Sequence, residues 1–360
     1  MKRNLYVSIL IIACLILTII GVLMSFSISS AVIEGFSLEL FYRQLLYVGI
    51  AALAFIFFSS FNHLKLKRIA KVLFLIFIAL LVLLLIKEFD NSHRWLPVPL
   101  IPFGFQPSQY AYIILSLLIA RLSLEPIEDK NVNKFFIFMF LIVAITSALI
   151  IFEPDMGSGA QVFITGFALI FILGMPIGHV FALSAFSILG VISMFGLNSE
   201  WRNRILAFRD PYKYATADAM QSLQALRALA RGGFAGVGFM KSLLKFPGRL
   251  PVSSSDFVYA IIGEEFGFIG CTLILFFNIL IAYVGFRVAR EAKSTFSRIL
   301  AFGLTFGIIS WSLLNMAVNV MLIPTTGVPL SFVSFGGNNL IANFISAGIL
   351  VNIARKEIEE

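Results

Sequence analysis

Asp256 is the residue of this sequence best placed to do chemistry. It ends the polar run 253–256 (Ser-Ser-Ser-Asp), and an apolar run begins directly after it at Phe257. A carboxylate in such a position can act as a general base that deprotonates a hydroxyl group. Ser and Asp are also common N-cap residues, so Asp256 could equally cap the helix predicted to follow it. The local pattern leaves both roles open.

The pKa of this carboxyl is subject to opposing influences. The dipole of the following helix and nearby cations would stabilise the ionised form and lower the pKa of Asp256. Loss of hydration at a bilayer surface would raise this pKa. The sequence does not determine which influence is larger.

The segment 198–256 carries an excess of basic residues, with nine arginines and lysines against four acidic residues. Such a segment can bind an anionic, phosphate-bearing ligand. It can equally form a solvated basic face beside anionic lipid headgroups, and composition does not separate these alternatives. The basic residues are Arg202, Arg204, Arg209, Lys213, Arg227, Arg231, Lys241, Lys245 and Arg249.

Other acidic residues lie within or between apolar runs. Glu264 and Glu265 would lie about 12 Å further along the helix that follows Asp256, too far away to act with it on one bond. Acids at that depth usually pair with something, so we interpret both as buried polar structure or as cavity lining. Glu153-Pro154-Asp155 reads as a tight turn that is either solvated or functional.

The elements that must position these groups are membrane-spanning helices. The 360 residues are 59% hydrophobic and 13% charged, whereas soluble domains contain about 25% charged residues. Apolar runs long enough to cross a bilayer recur along the chain. We therefore predict a single domain, 1–360, that is an all-α integral membrane protein with about ten transmembrane helices. The runs are 5–28, 44–61, 69–86, 107–120, 135–152, 159–175, 177–197, 257–286, 299–323 and 329–353.

The distribution of basic residues predicts the orientation. If the N-terminus is cytoplasmic and the spans alternate, the cytoplasmic segments carry 15 lysines and arginines and the short outer loops carry 3. This bias agrees with the positive-inside rule and places both termini in the cytoplasm. The segment 198–256 is then one large extracytoplasmic loop, with a short helix at the interface over 215–230.

No residue pattern predicts a metal or nucleotide site. His63, His93 and His179 are scattered along the chain, and Cys14 and Cys271 lie singly within apolar runs. No phosphate-binding loop, serine-hydrolase or zinc-protease motif occurs. The sequence does not decide whether a divalent cation takes part in the chemistry.

Motifs spread over nearly the whole chain resemble those of the SEDS proteins (shape, elongation, division and sporulation; FtsW, RodA and SpoVE). Several independent motifs in the right order are more specific than any one of them. They are Arg43-Gln44, Arg94-Trp95, 105–108 (Phe-Gln-Pro-Ser), 154–157 (Pro-Asp-Met-Gly), Arg204-Ile205 with Phe208, Asp210 and Pro211, Gln221 and Gln224, Gly232-Gly233, Gly236 and Gly238, Leu250-Pro251, Asp256-Phe257, 264–270, 324–329 and 335–337.

The resemblance implies a function. Members of this family look like ten-helix glycosyltransferases that polymerise lipid II, an undecaprenyl-pyrophosphate-linked disaccharide-peptide, into glycan strands. They work beside a class B penicillin-binding transpeptidase and other membrane proteins of the division or elongation machinery, and no nucleic acid is involved. The expected localisation is the bacterial cytoplasmic (inner) membrane. Met220-Gln221 and Ser242 with Lys245 favour the FtsW-like branch.

The resemblance also implies roles for individual residues. Asp256 falls on the family's essential aspartate and would deprotonate the acceptor hydroxyl in an inverting transfer. The pyrophosphate leaving group would explain the basic loop. The residues expected to bind substrate are Arg43, Arg94, Trp95, Gln106, Ser108, Arg204, Gln221, Gln224, Lys245 and Ser254.

The chain departs from the family pattern at several positions. Gln109 and Tyr112 stand where an acid and a lysine are usual, so a buried ion pair is expected to be replaced by neutral groups. Glu153 stands where Gln is usual. The run 252–255 (Val-Ser-Ser-Ser) replaces a Glu-Ala-His-Thr pattern, which leaves the immediate surroundings of Asp256 open.

Two other functions fit the same resemblance. One is a flippase for lipid II, which inverted repeats and broken helices at mid-membrane would favour, and neither is apparent in the sequence. The other is a non-catalytic scaffold for a class B penicillin-binding protein. A carboxylate and many cations concentrated on one outer loop favour the enzyme.

Overall fold

The computed structural model describes residues 2–30, 38–87, 94–98, 104–125, 132–185, 199–214, 217–246, 250 and 254–358. In this part of the chain the regular elements are helices, accompanied by one isolated β-bridge between Leu96 and Phe105. Short 3-10 turns lie at His63–Lys65 and Pro107–Tyr110. The helices are α1 (Lys2–Ser29), α2 (Glu39–Ser60), α3 (Leu66–Ile86), α4 (Ala111–Leu122), α5 (Val132–Phe152), α6 (Met156–Ile172), α7 (177–185), α8 (Ser199–Arg209), α9 (Ala217–Gly232), α10 (Val258–Glu291), α11 (Thr295–Asn319) and α12 (Gly337–Glu357).

The protein is a multi-pass membrane protein, as predicted. Seven helices of the described residues are long and apolar enough to cross a bilayer, namely α1, α2, α3, α5, α10, α11 and α12. Apolar side chains such as Leu53 and Leu75 remain exposed on their outer faces, as lipid contact requires. The shorter helices α4 and α6 and the described part of α7 correspond to three further predicted spans. Most of the predicted span 177–197 lies outside the described residues.

The centre of the bundle is formed by α4, α11 and α12. Ten of the twelve residues of α4 are buried, because α3, α6 and α11 surround it. α12 is buried over most of its length and packs against α1, α2 and α11. The 3-10 turn Pro107–Tyr110 leads directly into α4, and together they cover the predicted span 107–120.

The last predicted span begins later than expected. Residues 329–336 are not helical, and α12 begins at Gly337. This segment is nevertheless buried, and its polar groups are bonded inside the protein. Ser331 Oγ donates to the Ile308 carbonyl, and the Leu330 N–H donates to Ser334 Oγ. Irregular backbone is tolerated at this depth only when protein satisfies it.

α10 is a broken helix, a feature that was not apparent in the sequence. Gly267 has φ 65° and ψ −158°, a conformation that only glycine adopts readily. Carbonyls 264 and 265 would accept from N–H groups 268 and 269 in a regular helix. They accept instead from Val237 and Gly238, while N–H groups 268 and 269 donate to carbonyls 233 and 234. The segment 233–238 is therefore inserted into the helical hydrogen-bond ladder.

The large loop contains two helices. α9 was predicted over 215–230, and it spans Ala217–Gly232. Its small residues Ala225 and Ala228 are fully buried, and the close approach of Gly232 to the Gly263 carbonyl holds α9 against α10. α8 was not predicted, because its polar composition lacks a strong apolar stripe.

Candidate functional site

Asp256 lies in a polar cleft between the loops and the ends of the central helices. The cleft has a volume of about 250 Å³. Its walls come from the segment after α3, the α5–α6 turn, α8, α9, the start of α10, and the α11–α12 connection. Its polar side chains are those of Arg94, Asp155, Arg204, Gln221, Asp256, Thr325 and Thr326.

Two asparagines of α11 hold the main chain at Asp256. The Nδ2 groups of Asn315 and Asn319 donate to the Asp256 carbonyl at 2.8 and 2.9 Å. Asn319 Oδ1 accepts from the Ala260 N–H at 3.0 Å. Asn319 thus takes the part of an N-cap for α10, whose first turn receives no cap from its own N-cap side chain. The Asp256 carboxyl is therefore not used for capping, and it lines the cleft.

Burial decides the direction of the Asp256 pKa. Loss of hydration is the largest influence and raises the pKa of Asp256 above its ordinary value. A hydrogen bond from Ser255 lowers it, the charge of Asp155 raises it, and Arg204 and Arg94 lower it. Because the net direction is upward, the carboxylate is a stronger base than an exposed aspartate.

Asp155 is a second carboxylate on the cleft wall, and its hydrogen bonds fix it in place. Its Oδ2 accepts from Gln106 Nε2 at 2.9 Å, Ser108 Oγ at 2.8 Å and Ser158 Oγ at 2.7 Å. Its Oδ1 accepts from the Ser158 N–H at 3.1 Å and so caps α6. These four hydrogen bonds hold the Asp155 side chain against the start of α6. The polar turn Glu153-Pro154-Asp155 was the sequence signal for this residue, but it was not assigned to the site.

The two arginines of the cleft are anchored to main-chain carbonyls. Arg94 donates to the Glu153 carbonyl at 3.0 Å and also to the Pro154 carbonyl. Arg204, on α8, donates from Nη1 to the Thr325 carbonyl at 3.3 Å. Both guanidinium groups line the cleft together with Asp256. They bring two positive charges to a site that also holds two carboxylates.

The structure brings only some of the predicted ligands into the cleft. Arg94, Arg204 and Gln221 line it with Asp256. Gln106 and Ser108 are buried and bonded to Asp155, so they position a cleft residue and do not form the wall.

Lys245 was predicted to bind substrate, but it lies in a separate buried network. Its ammonium group donates to the Met240 carbonyl at 2.8 Å and Ser27 Oγ at 2.9 Å, and it approaches Glu265 Oε1 at 3.3 Å. These three acceptors match the three N–H donors of a lysine. Nearby, Glu264 pairs with Arg231 at 2.5 Å. The interpretation of both glutamates as buried polar structure agrees with these contacts.

The remaining predicted ligands also lie outside the cleft wall. Arg43 forms an exposed ion pair with Glu39 at 2.5 Å. Trp95 packs against Gly104, and Gln224 lies on α9 three residues beyond Gln221. Ser254 contributes its carbonyl, which accepts from the Phe335 N–H at 2.9 Å.

Neutral groups stand where the family usually has an ion pair. Gln109 Oε1 accepts from Asn339 Nδ2 at 3.3 Å, and Asn339 Oδ1 accepts from Asn343 Nδ2 at 2.8 Å. The Tyr112 hydroxyl pairs with Ser346 Oγ at 2.8 Å. This buried network joins α4 to α12 without any charge.

Comparison with known proteins identifies relatives over the full length. The family model described as "Cell cycle protein" (FtsW/RodA/SpoVE) matches residues 7–359. Stage V sporulation protein E of Bacillus subtilis is 31% identical over 357 residues, covering 96% of each chain. A probable peptidoglycan glycosyltransferase FtsW of Geobacter sp. is 31% identical over 361 residues, covering 98% of this chain and 97% of that one.

Solved structures share the fold at lower identity. A chain of a peptidoglycan synthase complex superposes with a TM-score of 0.79, with 24% identity and 98% coverage of both chains. The rod shape determining protein RodA of Thermus thermophilus gives a TM-score of 0.69 at 22% identity, covering 98% of this chain and 97% of RodA. Together with the matched motifs, these relationships show that the chain belongs to the FtsW/RodA/SpoVE family of cell cycle proteins, the SEDS family.

Proposed function

We propose that this protein is a peptidoglycan glycosyltransferase that polymerises lipid II, with Asp256 as its general base. The observation that carries the proposal is the cleft in which a half-buried carboxylate of raised pKa lies with two arginines. Full-length relatives named as probable peptidoglycan glycosyltransferases support the reaction class.

The cleft provides groups for each part of a glycosyl transfer. Asp256 accepts the proton of the acceptor sugar's 4-hydroxyl as its oxygen attacks the anomeric carbon of the donor. The bond from that carbon to the pyrophosphate oxygen breaks, and the undecaprenyl pyrophosphate leaves with the electron pair. Arg94 and Arg204 stabilise the negative charge that develops on the leaving group. Attack from the face opposite the leaving group inverts the anomeric configuration.

Asp155 increases the basicity of Asp256. Its negative charge raises the pKa of Asp256, while its own hydrogen bonds to Gln106, Ser108 and Ser158 fix its position. It also holds the start of α6 beside the cleft.

An apolar groove between α1 and α10 suits the isoprenoid tail. It has a volume of about 280 Å³ and is lined almost wholly by apolar side chains, including Leu23, Met24, Ile262 and Phe266. A tail of this kind gains about 0.8 kcal/mol for each CH₂ that it buries.

The setting that we propose is the outer face of the bacterial cytoplasmic membrane. The positive-inside bias supports cytoplasmic termini and places the loop 198–256, with Asp256, outside the cell. The whole chain, 1–360, acts as one domain beside a class B penicillin-binding transpeptidase and other membrane proteins of the division or elongation machinery. The FtsW-like motifs favour a role in division.

The broken helix α10 is the feature that would favour a flippase. The insertion of segment 233–238 satisfies the backbone groups exposed by the break, so they are not available to coordinate a transported substrate. The geometry therefore supports chemistry over transport.

The test uses the purified chain in lipid vesicles, with its candidate transpeptidase and labelled lipid II. The products are separated by length, and the movement of labelled lipid II between leaflets is followed in the same vesicles. We expect the protein to form glycan polymer, at a rate that does not depend on the rate of lipid II movement between leaflets. Leaflet exchange without polymer would indicate a flippase, and neither activity beside an active transpeptidase would indicate a scaffold.

A further inference from the structure

Glu153 is a buried acid next to the cleft that the proposed mechanism does not use. It lies in the turn between α5 and α6 with an exposed fraction of 0%. Neither of its carboxyl oxygens has a hydrogen-bond partner among the described residues. An ionised carboxylate in this state would be very costly, because nothing replaces the water that it has lost.

The charges that face Glu153 are those of Asp155 and Arg94. Asp155 repels a second negative charge, and its four hydrogen bonds hold it in place. Arg94 attracts a negative charge, but two of its donors are directed to the main-chain carbonyls of Glu153 and Pro154. The ionisable groups of the cleft beyond them are Asp256 and Arg204.

Burial raises the pKa of Glu153 to about 9, the charge of Asp155 acts in the same direction, and Arg94 opposes them. At neutral pH the side chain is therefore protonated. A neutral carboxylic acid has nearly the shape of a glutamine amide, so it can fill its site without introducing a charge.

We propose that Glu153 is a positioning residue, kept protonated beneath the cleft, whose ionisation displaces the Arg94-bound turn and the adjacent Asp155. This proposal rests on the proposed function for its activity readout. The turn is the link, because Glu153 and Pro154 offer the carbonyls that Arg94 binds and Asp155 directly follows them. A negative charge at Glu153 would draw the Arg94 guanidinium away from these carbonyls and repel Asp155.

The consequence is an alkaline limb in the pH dependence of polymerisation. Asp256 does not produce such a limb, because a general base becomes more fully ionised as pH rises. One pH unit above the pKa of Glu153, about nine-tenths of the molecules carry an ionised Glu153. The polymerisation rate at that pH should therefore be about tenfold lower than at neutral pH. Glu153→Gln is neutral at every pH and should lack this fall while retaining the neutral-pH rate.

Stability provides a readout that needs no activity. The pKa of Glu153 is raised in the folded state, so the folded protein binds a proton that the unfolded chain releases above its ordinary pKa of 4.5. Stability therefore falls as pH rises from the unfolded value through the folded pKa. Glu153→Gln removes this dependence.

The experiment compares the wild type, Glu153→Gln and the control Glu39→Gln, which changes an exposed acid of α2. Polymerisation rate, thermal midpoint and the infrared carbonyl band of protonated carboxyls are measured from neutral to alkaline pH. We expect the polymerisation rate and the thermal midpoint of the wild type and of Glu39→Gln to fall at alkaline pH. Glu153→Gln should show neither fall, and its infrared spectrum should lack one carbonyl band of a protonated carboxyl.

An unchanged alkaline fall in Glu153→Gln, or an unchanged infrared band, would overturn the proposal. If the wild type makes no polymer, the proposed function fails. The thermal midpoints and the infrared band then still decide whether Glu153 is protonated, and a titration of the wild-type band requires no variant to fold.

Discussion

Replacing Lys245 by methionine separates a structural role from a substrate-binding role. The Lys245 and Glu265 side chains are 1% and 0% exposed, and their charged groups lie 3.3 Å apart. Lys245→Met keeps the length and apolar stem of the side chain but leaves the Glu265 carboxylate buried without its cation. Removing one partner of a buried ion pair costs about 3–5 kcal/mol.

The size of the effect on thermal stability follows from chain length. For 360 residues an unfolding entropy of about 0.8 kcal/mol/K makes that loss equivalent to roughly 4–7 °C. Lys245→Met/Glu265→Gln removes both charges, and the amide introduced by Glu265→Gln can still bond to Ser27 and accept from the Ser242 N–H. We expect the double variant to recover most of the lost stability, since neutral replacement of a buried pair is often tolerated.

The assay measures thermal unfolding in detergent and the kinetics of lipid II polymerisation for both single variants and the double variant. The KM for lipid II should remain that of the wild type, because Lys245 does not line the cleft. A Lys245→Met protein as stable as the wild type but with a greatly raised KM would refute this reasoning. A double variant no more stable than Lys245→Met would refute the pairing.

Two further changes test the scaffold and the electrostatics of the cleft. Gly267→Ala places a Cβ 2.4 Å from the Gly236 nitrogen at a positive φ, so it should lower the free energy of unfolding by about 1–3 kcal/mol. The control Gly49→Ala has open space around its Cβ and should leave stability unchanged. Equal stability of the two variants in thermal unfolding would contradict the insertion of segment 233–238 into α10. Asp155→Asn removes a charge that raises the pKa of Asp256, so the acidic limb of kcat/KM should move to lower pH. The maximal kcat/KM of Asp155→Asn should also fall roughly tenfold or more, because charged hydrogen bonds of about 1.5–3 kcal/mol are weakened. An acidic limb displaced to higher pH would contradict the conclusion that Asp155 raises the pKa of Asp256.

Much of the fold followed from the apolar runs, because a bilayer imposes a minimum length on every span. The break in α10 could not be predicted from hydropathy, since Gly267 lies within an otherwise continuous apolar run. The break depends on backbone bonds to the segment 233–238, which is about 30 residues away in sequence. The irregular start of the last span was missed for the same reason. Its polar groups bond to residues distant in sequence, because the Phe335 N–H donates to the Ser254 carbonyl and Ser331 Oγ donates to the Ile308 carbonyl.

The site was less predictable than the fold. Residue type identifies donors and acceptors but does not show what they face. Gln106 and Lys245 both carry donors that could bind a phosphate, yet their donors are directed to Asp155 and Glu265. The capping alternative for Asp256 was reasonable from its position, but Asn319 from another helix takes that role. The direction of the Asp256 pKa also required the structure, because burial and the neighbouring charges act in opposition.

The most direct test of the account is the rate of glycan polymerisation by Asp256→Asn beside the wild type and Glu39→Gln. Asparagine retains the size of the side chain, and the contacts of Asn315 and Asn319 with the main chain at this position are unaffected. Thermal unfolding establishes that the three proteins are folded. The account predicts polymer from the wild type and from Glu39→Gln, and a loss of at least about a hundredfold in Asp256→Asn, the lower range for a general base. A folded Asp256→Asn protein that polymerises lipid II at the wild-type rate would contradict the assignment of Asp256 as the base.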